Sequence, residues 1–328
     1  MGSASWVARR HHGGMNREPL PDHLPDAFSV AAALRDGLTP DRLRGLPAPF
    51  RGVRTLEPVG DSIVDLVRAF APRLREGQFF SHRTSALLWK MPLPGFATMP
   101  LHVAAPVSGR PPSGRGIVGH RLSVEPSEIA MIVGVPVLSA ARTWALLAQE
   151  CAIHDVIAVG EYLITGTSLT RPCPVVPIES LRAVTRRLSG QRGHRIRVAA
   201  LSALRIGPLS RPESLVRFLL VRAGIPEPEI NTECVDAYGN LIAVPDLRWP
   251  QFKVAVEYEG DYHRDSTQFR QDIHRMERLV DQGWLVVKVS ADDLFARPEE
   301  LVARVSRRLT SRGWLGRAEI RFSGHMQR

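Results

Sequence analysis

Cysteine is scarce in this chain: 3 residues in 328, at Cys151, Cys173 and Cys234. They form no C-x-x-C pair and no Cys/His cluster, which argues against a disulfide-stapled secreted scaffold and against a zinc site. Long apolar runs are missing as well, so nothing in the sequence reads as a transmembrane helix. The opening MGSASWVARRHHGG has no apolar stretch of the secretory kind. These absences lead us to expect a cytoplasmic protein. Acidic charge is in deficit: 33 Asp and Glu against 43 Lys and Arg leave a net charge of +10. Such an excess favours a polyanionic partner, DNA above all, although a genome that prefers arginine codons produces the same bias.

A chain of 328 residues has room for two or three cores. Residues 1–27 are rich in Gly, Pro, Arg and His and read as a disordered tail, with Met15 as an alternative start. Over 28–100, FSVAAALRDGLTPDRLRGL reads as helix, turn, helix and FRGVRTL as a strand, with SIVDLVRAFAPRL and SHRTSALLWKMPLP as further helical runs. This pattern is compatible with a winged helix-turn-helix DNA-binding domain. Residues 101–205 read as an α/β connector that ends in the arginine-rich RAVTRRLSGQRGHRIRVAALSAL. That run is either a phosphate-facing helix or a solvated one. From 206 to 328 the order of elements reads α-β-β-β-α-β-α, with TECVDAY and LIAVPDLRW as strands joined by a hairpin turn at Gly239-Asn240 and TQFRQDIHRMERLVDQG as a helix with Phe269, Ile273, Met276 and Val280 on one face.

The richest stretch is PDLRWPQFKVAVEYEGDYH, from Pro245 to His263. Side chains alternate along a strand, so Glu257 and Glu259 share a face, about 6.6 Å apart. Asp246 lies on the preceding strand, within reach of Glu257 across a spacing of about 4.8 Å. Three carboxylates at one point repel unless a proton or cation neutralises them. A hard divalent ion, Mg²⁺ or Mn²⁺, would do so and bring water with it. The sequence therefore predicts a metal held by Asp246, Glu257 and Glu259.

Two resemblances follow from these motifs. The α-β-β-β-α-β order with Pro245-Asp246 and Glu257-x-Glu259 resembles the PD-(D/E)XK nuclease superfamily, whose fold is restriction-endonuclease-like. The run EYEGDYH, then Asp272-x-x-Arg275 and Gly283-Trp284, is similar to a bacterial family of unknown function allied to the very-short-patch-repair (Vsr) endonucleases. The N-terminal two-thirds, through FRGVRTL, SHRTSALLWKMPLP and ARTW, resembles the AbiEi-like winged-helix proteins of toxin–antitoxin systems, which would admit a toxin partner. The first resemblance implies that Asp246 and Glu257 ligate metal, that Glu213 joins them from a helix, and that His263 serves as general base or orients water. Glu259 stands where that superfamily has its lysine. Lys253 lies roughly 13 Å from Glu257 along the strand and is a poor substitute, whereas Lys288 on the next strand is a conceivable one. Glu213 also completes the capping pattern Ser210-x-x-Glu213.

Two functions are compatible with this reading. One is a metal-dependent DNA endonuclease whose N-terminal module binds duplex DNA in a salt-dependent way, even without residues 206–328. The other is a non-catalytic, antitoxin-like DNA-binding regulator with a degenerate nuclease fold.

Overall fold

The computed structural model describes residues 20–95, 97–168, 173–260 and 277–319. Among these residues the fold is mixed α/β, with two two-stranded sheets, one of four strands and one of five. No helix among them is long and apolar enough to cross a membrane.

A small ribbon-and-helix unit comes first. Strand β1 (Ala27–Ser29) pairs antiparallel with β2 (Val53–Thr55), and α1 (Val30–Arg35) and α2 (Pro40–Leu43) lie between them in sequence. Ser29 caps α1, its Oγ accepting the Ala32 N–H at 3.1 Å. The helix expected over TPDRLRGL is a single turn, because Gly45 and Pro47 follow at once and cannot prolong it. Phe28, Ala33, Leu38 and Leu43 form the core here, and Leu20 and Leu24 pack against it. The last part of the expected disordered tail is therefore packed.

Next come α3 (Ile63–Phe70), β3 (Phe79–Phe80), α4 (His82–Leu88), β4 (Leu101–Pro106), β5 (Ile117–Leu122), β6 (Ile129–Ile132) and β7 (Val135–Leu138). The five strands form one sheet in the order β5-β4-β3-β7-β6, with β3 antiparallel to β4 and parallel to β7. Residues on both sides of the boundary expected near 100 thus share a sheet. Helix α4, which carries SHRTSALL, buries Thr84, Ser85, Ala86 and Leu88. Its Ser85 Oγ lies 2.9 Å from Thr143 Oγ1 in the interior. Arg83 is the exposed residue of this helix, and Leu87 is half-buried.

Helices α5 (Ala140–Leu147), α6 (Ile153–Thr165), α7 (Ile178–Arg187) and α8 (His194–Ala203) form a helical layer around Trp144, Ile157, Leu163 and Leu181. The arginine-rich run supplies α7 and α8, and one of its arginines points inward. Arg197 is fully buried. Its guanidinium donates to the carbonyls of Leu188 at 2.7 Å and Arg192 at 2.9 Å, and more distantly to Ala145 at 3.3 Å and Gln191 at 3.4 Å. The Leu188 and Gln191 carbonyls also accept the N–H groups of Gln191 and His194, so Arg197 adds a second donor to the turn between α7 and α8. At this position the run is neither phosphate-facing nor solvated. Arg197→Met should cost about 2–3 kcal/mol in urea unfolding, because it removes buried hydrogen bonds made by a charged donor.

The C-terminal part begins with α9 (Arg211–Arg222) and continues through β8 (Glu229–Ile230), β9 (Cys234–Val235), β10 (Leu241–Ala243), β11 (Leu247–Trp249), β12 (Val254–Glu259) and β13 (Leu285–Ser290). Helices α10 (Ala291–Phe295) and α11 (Pro298–Thr310) close it. LIAVPDLRW, expected as one strand, breaks at Pro245, which cannot donate to a ladder. Its first half forms the β9–β10 hairpin, turned by Gly239 at φ +83°. Its second half joins the main sheet, of order β13-β12-β11-β8, with β12 antiparallel to β11 and parallel to β13. Leu247, Trp249, Val254, Val256, Val287 and Val289 face α9, α10 and α11 across the larger core. Ala255 faces the other way, into a smaller core with Cys234, Ile242, Ala243, Leu279 and Trp284.

Helix α9 also seals the contact with the helical layer. Arg217 pairs with Glu161 of α6 in the interior, and Arg211 donates to Asp155 at 2.8 Å and 3.0 Å. Cutting the chain at 206 would strand both acids. The expectation that residues up to 205 bind DNA on their own therefore meets a physical obstacle.

Candidate active site

The β11–β12–β13 face opposite the larger core carries the charged residues. Leu247 pairs with Val256 and Arg248 with Ala255, so one further step of the antiparallel register sets Asp246 opposite Glu257. The Tyr258 N–H donates to Asp246 Oδ2 at 2.6 Å, which ties this carboxylate to the β12 backbone. On the other side of β12 the parallel register pairs Glu257 with Lys288 and Glu259 with Ser290. Asp246, Glu257 and Lys288 thus occupy one cross-strand row. The row lies just beyond Ala255, where the small core ends and the half-buried Glu257 begins.

Lys288 reaches diagonally to Glu259, with its Nζ 2.6 Å from Oε1. The two side chains are 53% and 45% exposed, so the pair contributes no more than about 1 kcal/mol and opens readily. This changes the expected role of Glu259. Among the described residues, Asp246, Glu257 and Glu259 do not bring three ligand atoms within 4.8 Å of one another. Glu259 is paired with the Lys288 ammonium. Lys253, in left-handed backbone at φ +47° before β12, points away and donates to the Gln282 carbonyl at 3.1 Å.

Glu213 stands one residue removed from the row. Its Oε2 accepts from Leu209 N–H and from Asn231 Nδ2, each at 2.9 Å, while the Asn231 N–H donates to the Asp246 carbonyl at 2.9 Å. Ser210 Oγ accepts the Glu213 N–H at 3.3 Å, so the helix-capping role is present as well. The structure links Glu213 to Asp246 through Asn231 and shows no direct contact between the two acids. His263, Asp272 and Arg275 lie outside the described residues, as do Phe269, Ile273 and Met276 of the helix expected there. Residues 277–281 are helical and bury Leu279, whereas Val280, expected on the apolar face with Phe269, Ile273 and Met276, is exposed.

A different set of ligands is invisible to sequence patterns. His82, His102 and His120 each offer a ring nitrogen within 4.8 Å of the others and could hold a metal ion. They come from α4, β4 and β5, and successive members stand eighteen or more positions apart, so no short-range spacing motif reveals them.

Two uncharacterized proteins of Mycobacterium tuberculosis, from strains H37Rv and CDC 1551, are each 32% identical to this chain over 123 residues. That stretch is 36% of this chain and 45% of each relative, so the chain spans under half the length of the curated relatives it matches. No family model matches the chain, and no solved structure does.

Proposed function

We propose that this chain is a metal-dependent endonuclease of the PD-(D/E)XK type, acting on duplex DNA through its C-terminal αβββαβ unit. The observation that carries this reading is the row Asp246–Glu257–Lys288 on three neighbouring strand positions. An acid, an acid and a lysine are the groups that such a reaction needs. Here the lysine comes from β13 and not from position 259. Two carboxylates form a hard oxygen donor set suited to Mg²⁺ or Mn²⁺, which bind through one or two carboxylates and retain water. Asp246 and Glu257 would hold the ion, which when bound supplies an activated water and neutralises phosphate charge.

The protein's own groups do the rest. The Tyr258 N–H fixes the Asp246 carboxylate. Lys288, released from Glu259 by an incoming phosphate, places its ammonium against the charge that develops there. Glu213 acts through Asn231 as a positioning residue, and His263 keeps the role of base or water-orienting group that the resemblance implies. The net charge of +10 favours the DNA backbone, and the α1–α2 unit with its β1–β2 ribbon is the proposed winged-helix-like contact to it.

The test is cleavage of supercoiled plasmid by the full-length protein in Mg²⁺ or Mn²⁺, compared with Asp246→Asn. Asparagine keeps an acceptor for the Tyr258 N–H and loses the charge, so the fold should stand while cleavage is lost. Cleavage that persists in this variant would belong to another site or to a contaminant. DNA binding without cleavage in either metal would identify the chain as a regulator. Glu259→Gln separates the two roles of Glu259. As the resting partner of Lys288 it should be dispensable, so the variant should cleave within a fewfold of wild type and lose no more than about 1 kcal/mol of stability.

A further inference from the structure

We propose that His82, His102 and His120 form a second metal site, selective for a divalent transition ion such as Zn²⁺ and distinct from the carboxylate row. The three imidazoles meet where the start of α4 crosses β4 and the edge strand β5. His102 Nδ1 and His120 Nε2 face each other at 2.9 Å, and the His82 ring stacks on His120 with centroids 3.7 Å apart. A tetrahedral ion with Zn–N bonds of about 2.0–2.1 Å needs nitrogens about 3.4 Å apart. The three ligand atoms already lie within 4.8 Å, so side-chain rotation of the order of an ångström closes the site.

Several independent features support a built site. The backbone of His82 sits in the left-handed region at φ +49°, which is costly for a residue with a side chain and aims this imidazole at the other two. The strain is held by hydrogen bonds: the Ser81 N–H donates to the His102 carbonyl at 3.0 Å and the His102 N–H to Thr84 Oγ1 at 2.8 Å. Ser81 Oγ lies 3.0 Å from His82 Nδ1, an outer partner that can fix this nitrogen as donor and leave Nε2 for an ion. Burial and the neighbouring rings push His82 down to about 3 and His102 down to about 4. Burial lowers His120 as well. Neutral imidazole is the form that ligates metal.

Two nearby cations, Arg142 beside His82 and Arg83 beside His102, oppose positive charge there, and each has an acid partner. Arg142 lies 3.6 Å from Glu128, and Arg83 lies 3.7 Å from Glu150. His82 is 9% exposed, whereas His102 and His120 are only partly buried, so the ion would enter from their side. Three histidines with a solvent-facing fourth position match the open type of zinc site. Imidazole selects Zn²⁺, Ni²⁺, Co²⁺ or Cu²⁺ over the Mg²⁺ and Mn²⁺ suited to Asp246 and Glu257, so the two sites would load independently.

The experiment is a Zn²⁺ titration of untagged, chelator-stripped full-length protein against a chromophoric competitor, with zinc content measured after gel filtration. One Zn²⁺ per chain is expected, undisplaced by millimolar Mg²⁺. His102→Gln and His120→Gln should each weaken binding by at least the 10–100-fold typical of losing an outer partner. His23→Ala, at an exposed histidine outside the cluster, should leave binding unchanged. Co²⁺ should give a visible absorption spectrum of tetrahedral type that disappears in His120→Gln. His82 is built into the strained start of α4, so the test rests on the two partly buried positions, with melting in the absence of metal as the check on folding. Folded His102→Gln and His120→Gln proteins that retain wild-type zinc affinity would overturn the proposal. So would a wild-type chain that binds no stoichiometric zinc, and the triad would then be a packing feature.

Discussion

Lys288→Met is expected to slow plasmid cleavage by about 10²–10³-fold while leaving duplex affinity nearly unchanged. Methionine keeps the unbranched shape and removes only the ammonium, the one cationic group in the row Asp246–Glu257–Lys288. Stability should hardly respond, because the pair lost with Glu259 is half-exposed and contributes at most about 1 kcal/mol. Affinity should hardly respond either, since one phosphate contact among many carries a small part of the electrostatic binding. Lys288→Arg should recover only part of the rate, because a planar guanidinium does not place its charge where an ammonium does. Glu257→Gln should be at least as damaging as Lys288→Met, since it removes a metal-binding charge. A Lys288→Met protein that cleaves like wild type, beside an inactive Asp246→Asn, would show that the row does not act as a unit.

Much of this site was legible in the sequence, and the reasons differ from residue to residue. The alternation in FKVAVEYE put Glu257 and Glu259 on one face, and the β12 register agrees. Gly239 and the break at Pro245 follow from local backbone chemistry, so the hairpin was predictable, although the division of LIAVPDLRW between two sheets was not. The direction in which Glu259 points depends on Lys288, 29 positions later. Only the parallel pairing of β12 with β13 brings the two together, and single-strand periodicity carries no such information. Arg197 shows the converse failure. In sequence it is one arginine of a basic run, but in the fold it donates to carbonyls beyond the end of α7 that only the packing of α8 brings into reach. The histidine triad is wholly tertiary in the same sense.

Arg217→Met should be among the most destabilising single changes, at about 3–5 kcal/mol. The Arg217 and Glu161 side chains are 1% and 0% exposed, and the Arg205 N–H adds a bond to Glu161 Oε1 at 2.9 Å. Burial pushes the Glu161 carboxyl up to about 7, and Arg217 opposes that rise. Without the arginine the folded state holds the Glu161 proton more tightly than the unfolded chain, whose value is near 4.5. A group raised in the folded state adds stability below its unfolded value and loses it as pH rises through the folded one. Wild type and variant should therefore lose stability in parallel from pH 4.5 to about 7, and the variant should fall further behind only as pH rises through the wild-type Glu161 value of about 7 toward 8. Glu161→Gln with Arg217→Met should recover much of the loss, because the amide oxygen still accepts from Arg205, and Glu227, the other acid paired with Arg217 at 2.8 Å, keeps Arg205 at 2.9 Å. A fall of less than about 1 kcal/mol for the single change at pH 8 would mean that the pair is hydrated. Leu215, Val216, Leu219 and Leu220 of the same helix line the core beneath the row, so loosening α9 also loosens the sheet that holds Asp246, Glu257 and Lys288 in register. Cleavage by Arg217→Met should match wild type well below its melting temperature and disappear with the fold, whereas Lys288→Met should be slow at every temperature.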